Sequence, residues 1–220
     1  MVHRLLAVLP GAVLALAVVG GALAVPAAAS AESYSAPLGT AISDLRGAGE
    51  VRDGYDRDLF RHWVDADGDG CDTRDEVLLA ESLDPVTVGS SCSLSGGRWY
   101  SYYDRRTWTD SGRIDIDHLV PLAEAWDSGA RTWTARTRER YANDLGDGRT
   151  LVGVTDSVNQ SKGDQDPAEW MPQHGTCRYV RQWVAVKHRW RLGVDRAERR
   201  ALRSLAAGCG TARITVTLAR

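Results

Sequence analysis

Lysine is nearly missing from this chain: only Lys162 and Lys187 stand among abundant arginines. A GC-rich genome explains that bias, and against it Lys162 is conspicuous. No two of the four cysteines share a CxxC spacing, which argues against a zinc site. Neither an HExxH helix nor a GxSxG elbow is present, so the usual metallopeptidase and serine-hydrolase signatures are absent. Beyond residue 25 no stretch is apolar enough to span a bilayer. Repeats are absent too. The formal net charge is −2, so the chain is not basic as a whole. Binding a polyanion needs only a local patch. Acidic residues gather in 44–84 and arginines in 131–140 and 178–203, an asymmetry that permits one basic face.

What is there begins with an apolar run after Arg4 that reaches Val25 and closes on PAAASA. Ala29-Ser30-Ala31 fits the small-residue cleavage rule, so residues 1–31 read as a signal peptide cut before Glu32. A retained anchor is the rival reading, disfavoured by Gly11, Gly20, Gly21 and Pro26. The mature chain, 32–220, is then exported and soluble, with enough residues for one sizeable core and no membrane partner. Cys71, Cys92, Cys177 and Cys209 all lie in it, and an even count in an exported chain argues for disulfides. The shortest loops pair Cys71 with Cys92 and Cys177 with Cys209. Each bridge would contribute about 3 kcal/mol.

Periodicity predicts a mainly helical α+β domain. Residues 32–39 read as a mobile leader, and two short helices between 40 and 63 break near 47–54. A helix follows at 73–82. A β-hairpin is expected with strands near 91–95 and 98–103, turning at Gly96-Gly97. Further along come a strand at 114–120, helices at 122–128 and 135–143, a strand at 150–154 and a capped helical turn at 156–162. Two C-terminal helices at 176–191 and 195–207 end at Gly208.

The chemistry concentrates in Asp115-Ile116-Asp117-His118-Leu119-Val120-Pro121. A strand ending in Asp-His and stopped by proline sets a carboxylate beside a histidine. Histidine suits proton abstraction near neutral pH, and a carboxylate is a hard ligand for Mg²⁺ or Mn²⁺. Forty-odd residues on comes Asn159-Gln160-Ser161-Lys162-Gly163-Asp164, with a neutral oxygen ligand and a cation. Each part alone has an ordinary structural explanation; their order and spacing together suggest phosphodiester hydrolysis.

The segment from Asp117 to Lys162 resembles the HNH endonuclease superfamily. DIDHLVPLAEAWDSGA, RYANDL, LVGV and NQSKGDQDPAEWMP resemble secreted bacterial HNH-family proteins, similar to the C-terminal domain of the GmrSD restriction enzymes. The resemblance implies a ββα-metal core over about 112–173. It implies His118 as general base, Asp117 and Asn159 as ligands of a divalent metal (Mg²⁺ or Mn²⁺), and Lys162 as a cation at the phosphate. Asn143 matches the middle Asn that holds the base-bearing loop; a helix C-cap is the equal alternative. The implied partner is nucleic acid, DNA first and RNA second, cut without sequence preference by a monomer.

A second signal is Asp65-Ala66-Asp67-Gly68-Asp69-Gly70-Cys71, continued to Glu76. It matches the EF-hand loop, with Asp65, Asp67, Asp69, the Cys71 carbonyl and Glu76 as calcium ligands. A solvated turn anchored by Cys71 is the plain alternative. From this signal comes the competing function, a non-catalytic calcium-stabilised extracellular binding module.

Overall fold

A computed structural model describes residues 31–219. The expected signal peptide, apart from Ala31, lies outside the described residues. Among the described residues four separate antiparallel ribbons of two strands accompany seven α-helices, so the fold is mixed rather than mainly helical. Among the described residues no helix is long and apolar enough to cross a membrane.

The two ends of the described chain pair with each other. β1 (Ser33–Pro37) runs antiparallel to β8 (Arg213–Thr217), with Ala36 opposite Ile214 and Tyr34 opposite Val216. The expected mobile leader is therefore an ordered strand. Alternating Ile214 and Val216 bury themselves against the main core, and pairing satisfies the backbone of both segments. α1 (Leu38–Asp44) follows directly, burying Leu38, Ala41 and Ile42. The second short helix expected before residue 63 is only a 3₁₀ turn, Arg57–Leu59.

α2 (Thr73–Glu81) opens with a capping box between Asp72 and Asp75. The expected hairpin about Gly96-Gly97 does not form. β2 (Val86–Val88) pairs with β3 (Leu94–Gly96), and β4 (Trp99–Ser101) with β5 (Arg106–Trp108). The reason lies in Trp99, whose indole N–H donates to the Leu78 carbonyl at 2.7 Å and packs against Gly97. A Cβ at Gly97 would meet that ring at 2.6 Å, at a backbone φ of +80°. Both expected disulfides are formed, Cys71–Cys92 and Cys177–Cys209.

The ribbon that carries the site is β6 (Ile114–His118) with β7 (Leu151–Thr155). α3 (Leu122–Asp127) and α4 (Ala135–Ala142) fill the connection between them. α5 (Asp156–Lys162) follows β7 directly and packs on both strands. The ribbon divides two cores. Ile114, Ile116 and Leu151 join a small cluster with Val77, Leu78 and Trp99, while Val152 and Val154 face the large one. At the centre of the large core lies α6 (Thr176–Trp190), with Val180, Trp183 and Val184 fully buried. α7 (Arg196–Ala206) closes it. Lys187 of α6 is buried too, its charge met by Glu124 at 2.7 Å and Glu198 at 2.6 Å.

Glu81, at the end of α2, accepts from the Gly153 N–H of β7 at 2.8 Å. Burial pushes its carboxyl from 4.5 up to about 7. With the folded value raised, its favourable contribution is complete below about pH 4.5 and is lost as pH rises through about 7. Glu81→Gln keeps an acceptor for Gly153 and removes the buried charge. The variant should therefore gain as much as about 3 kcal/mol at pH 8 and less than about 1 at pH 5. Denaturant melts at both pH values check this, and a gain independent of pH would refute the account.

Candidate functional site

β-strand alternation sends neighbours to opposite faces. Asp115 and Asp117 share one face of β6 with Val152 and Val154 across the ribbon, while His118 stands opposite Leu151 on the other. The strand ends at this point, so Asp117 and His118 still border one cavity of about 200 Å³, together with Arg57, Asn159, Gln160 and Asp164. β6, α5 and the 3₁₀ turn before Phe60 thus supply its walls.

His118 is 5% exposed. Its Nε2 lies 2.9 Å from the Ala142 carbonyl. A carbonyl can only accept, so Nε2 carries the proton and Nδ1 the lone pair. Trp63 at 5.6 Å and Tyr141 at 6.4 Å hold the ring in place. Burial pulls its pKa down to about 3, aided by the nearby cations Arg57 and Lys162, so the ring is neutral at physiological pH. Asn143 follows Ala142 at the end of α4. Its Oδ1 accepts from Val64 N–H at 3.0 Å and its Nδ2 donates to the Arg61 and Glu139 carbonyls at 2.8 Å. Asn143 therefore sits at the helix C-cap and also ties down the 61–64 segment that flanks His118.

Lys162 is placed differently from what the resemblance implies. Lys162 is fully buried, with Nζ 2.7 and 2.8 Å from the Asp117 oxygens and 3.1 Å from the His118 carbonyl. It does not line the cavity, so its charge serves Asp117 and not an incoming phosphate. Tyr103 adds a hydrogen bond to Asp117 Oδ2 at 2.5 Å. Burial is the largest influence on both partners, raising the Asp117 carboxyl and lowering the Lys162 ammonium. The cation that does line the cavity is Arg57.

On α5, Asn159 donates from Nδ2 to Asp115 Oδ2 at 3.3 Å, and its Oδ1 meets no protein donor among the described residues. Asp117 Oδ1 accepts a single bond, from Lys162. One neutral oxygen and one shared carboxylate suit a hard ion that keeps most of its water, the habit of Mg²⁺. The donor set therefore fits a hydrated divalent ion held by Asn159 and Asp117. Sequence reasoning missed Arg57, Tyr103 and the Ala142 carbonyl, for which no local signal exists. Asp115 could have been found, since it lies two residues from Asp117 on the same strand face.

Carboxylate oxygens of Asp65, Asp67 and Asp69 lie within 4.8 Å of one another on an exposed loop. Asp65 accepts from Gly68 and Gly70, and Asp69 accepts from Cys71. Glu76, on the first turn of α2, has its carboxyl raised by desolvation and then by Asp69, Asp67 and Asp65. Three of the five expected ligands, Asp65, Asp67 and Asp69, thus gather, while Glu76 stands outside that cluster and the Cys71–Cys92 bridge anchors the end of the loop.

A protein of Arthroderma benhamiae described as an uncharacterized secreted protein is 43% identical over 187 residues, covering 84% of this chain and 87% of that protein. That relative is fungal, so the expected restriction to bacterial proteins does not hold. No solved structure matches the chain. Residues 72–205 match the family of GmrSD restriction endonucleases, C-terminal domain, a span that includes β6, β7, α5 and the whole lining of the cavity except Arg57. The chain belongs to the family of GmrSD restriction endonuclease C-terminal domains.

Proposed function

We propose that the chain is a secreted, metal-dependent endonuclease of the HNH type, built on a ββα-metal core of β6, β7 and α5. The observation that carries this reading is the His118 ring. It is neutral, fixed in one tautomer by the Ala142 carbonyl, and borders the same cavity as Arg57 and Asn159. In this reading Nδ1 of His118 takes a proton from the attacking water. An anionic phosphate in the cavity opposes the effect of burial and raises the proton affinity of the ring. Arg57 meets the phosphate charge, and Asn143 holds the segments on which His118 is oriented. Asn159 and Asp117 would hold the divalent ion, which stabilises charge developing on the phosphate when bound. The Lys162–Asp117 pair fixes the end of β6. Backbone contacts alone carry no sequence information, so cutting is nonspecific. The substrate is DNA, with RNA second. Export rests on the N-terminal pattern, the two disulfides and the secreted relative.

Nicking of supercoiled plasmid by the mature chain, with Mg²⁺ or Mn²⁺ and with EDTA, tests the reading. Metal-dependent nicking is expected, and its absence on both DNA and RNA would sink it. The acidic loop supports a second reading, a calcium-stabilised binding module, and is compatible with the first as a structural calcium site. At ten times Kd, calcium adds roughly 1.4 kcal/mol, or about 3–6 °C in Tm for a domain of this size. Differential scanning fluorimetry should show that rise with millimolar Ca²⁺ and lose it in Asp67→Asn. An identical rise in the variant would remove calcium from the loop.

A further inference from the structure

Away from His118, a cavity of about 340 Å³ is lined by Arg149, Arg178, Arg181, Gln182, Arg213 and Ile214. It shares no lining residue with the His118 cavity. Four guanidinium groups surround one space, and no carboxylate lines it. Arg178 and Arg181 lie on the first two turns of α6, three residues apart on one helix face. Like charges at that spacing repel, and cations near a helix N-terminus oppose the macrodipole. Stability alone therefore disfavours this arrangement.

The groups are nonetheless held in place. Arg178 stacks over the Tyr102 ring at 4.0 Å. Asp147 grips Arg149, whose Nη1 also donates to the Thr215 carbonyl at 3.1 Å, and Arg213 donates to Ser35 Oγ at 3.2 Å. Gln182 accepts from the Tyr102 hydroxyl at 2.6 Å, which leaves its amide N–H₂ as a donor. Among the described residues, Arg178, Arg181 and Arg213 form no ion pair within 4.0 Å. Asp147 is committed to Arg149, and Glu81, whose carboxyl Arg178 influences, stands outside the lining. Each guanidinium keeps N–H donors to spare, since it carries five in a fixed fork. A space walled by oriented donors, three of its four guanidinium groups without an ion-pair partner among the described residues, fits a tetrahedral oxyanion.

We propose that this cavity binds backbone phosphates of nucleic acid, as an anchoring subsite separate from the His118 cleft. The identity of the occupant rests on the nuclease reading; the anion chemistry does not.

The test is fluorescence anisotropy of a short phosphorothioate duplex, which resists cutting, titrated with wild type, Arg178→Ala, Arg181→Ala and Arg200→Ala across a range of NaCl. Arg200 is exposed on α7 and lies outside the cavity. Each cavity variant should flatten the slope of log K against log salt by roughly 0.9, the value of one phosphate contact. Arg200→Ala should leave it unchanged. The three substituted arginines are exposed, so the variants should fold, and thermal melts check this. Equal slopes in all four proteins would overturn the proposal, and plasmid nicking by the same wild type would show that the nuclease reading survives it. Arginine-dependent binding to heparin without binding to the duplex would keep an anion site and overturn nucleic acid as its occupant. Failure of the wild type both to bind and to nick would instead count against the nuclease reading.

Discussion

His118→Ala is expected to slow plasmid nicking by about 10²–10⁴-fold, the range over which a positioned general base acts. The Ala142 carbonyl fixes the proton on Nε2 and leaves Nδ1 as the lone-pair nitrogen, so no other ring in the cavity can replace it. His62 lies 6.4 Å from His118 by ring centroids, and its own Nδ1 is 2.8 Å from the Phe60 carbonyl. The ring also fills space between Trp63 and Tyr141, so an alanine there costs packing as well. Added imidazole separates the two effects. In His118→Gly it should restore part of the rate without restoring Tm. A His118→Ala protein that melts normally and nicks at the wild-type rate would refute the assignment of the base.

Lys162→Met should destabilise the fold by about 3–5 kcal/mol, the usual cost of removing one partner from a buried pair. For a domain of this size that is roughly 6–20 °C in Tm. Methionine matches the length of the lysine stem but leaves the Asp117 carboxylate with Tyr103 as its remaining side-chain donor. The His118 carbonyl loses its Nζ contact at the same time. Adding Asp117→Asn removes the uncompensated charge and should recover much of the loss. The alternative, a lysine free to meet a phosphate, predicts the opposite pattern: an unchanged Tm and a raised KM. Thermal melts of the single and double variants, with KM on plasmid, decide between them.

Much of the local structure was legible because it rests on short-range rules. The alternation over 114–120 and the stop at Pro121 pointed to β6, and the helix expected at 176–191 is α6. The structure adds the caps, Asp72 at the start of α2 and Asp195 at the start of α7. The disulfide pairing followed from loop length. Partner choice was another matter. Nothing local says that Ser33–Pro37 pairs with Arg213–Thr217 at the far end of the chain, or that Gly96-Gly97 makes room for Trp99 instead of turning a hairpin.

The candidate site divides along the same line. By itself the sequence determined which residue types meet: Asp-His at a strand end, Asn and Lys on the helix after the next strand, and three acids in one loop. Side-chain identity and a period of two or 3.6 suffice for that. Only the tertiary structure decided that Asp117 and His118 border one cavity, that Lys162 is buried against Asp117, and that Arg57 reaches the cavity. It also brought Arg149, Arg178 and Arg213 around one space from three distant segments. Burial and charge compensation depend on what packs from elsewhere in the chain, and no local pattern encodes that.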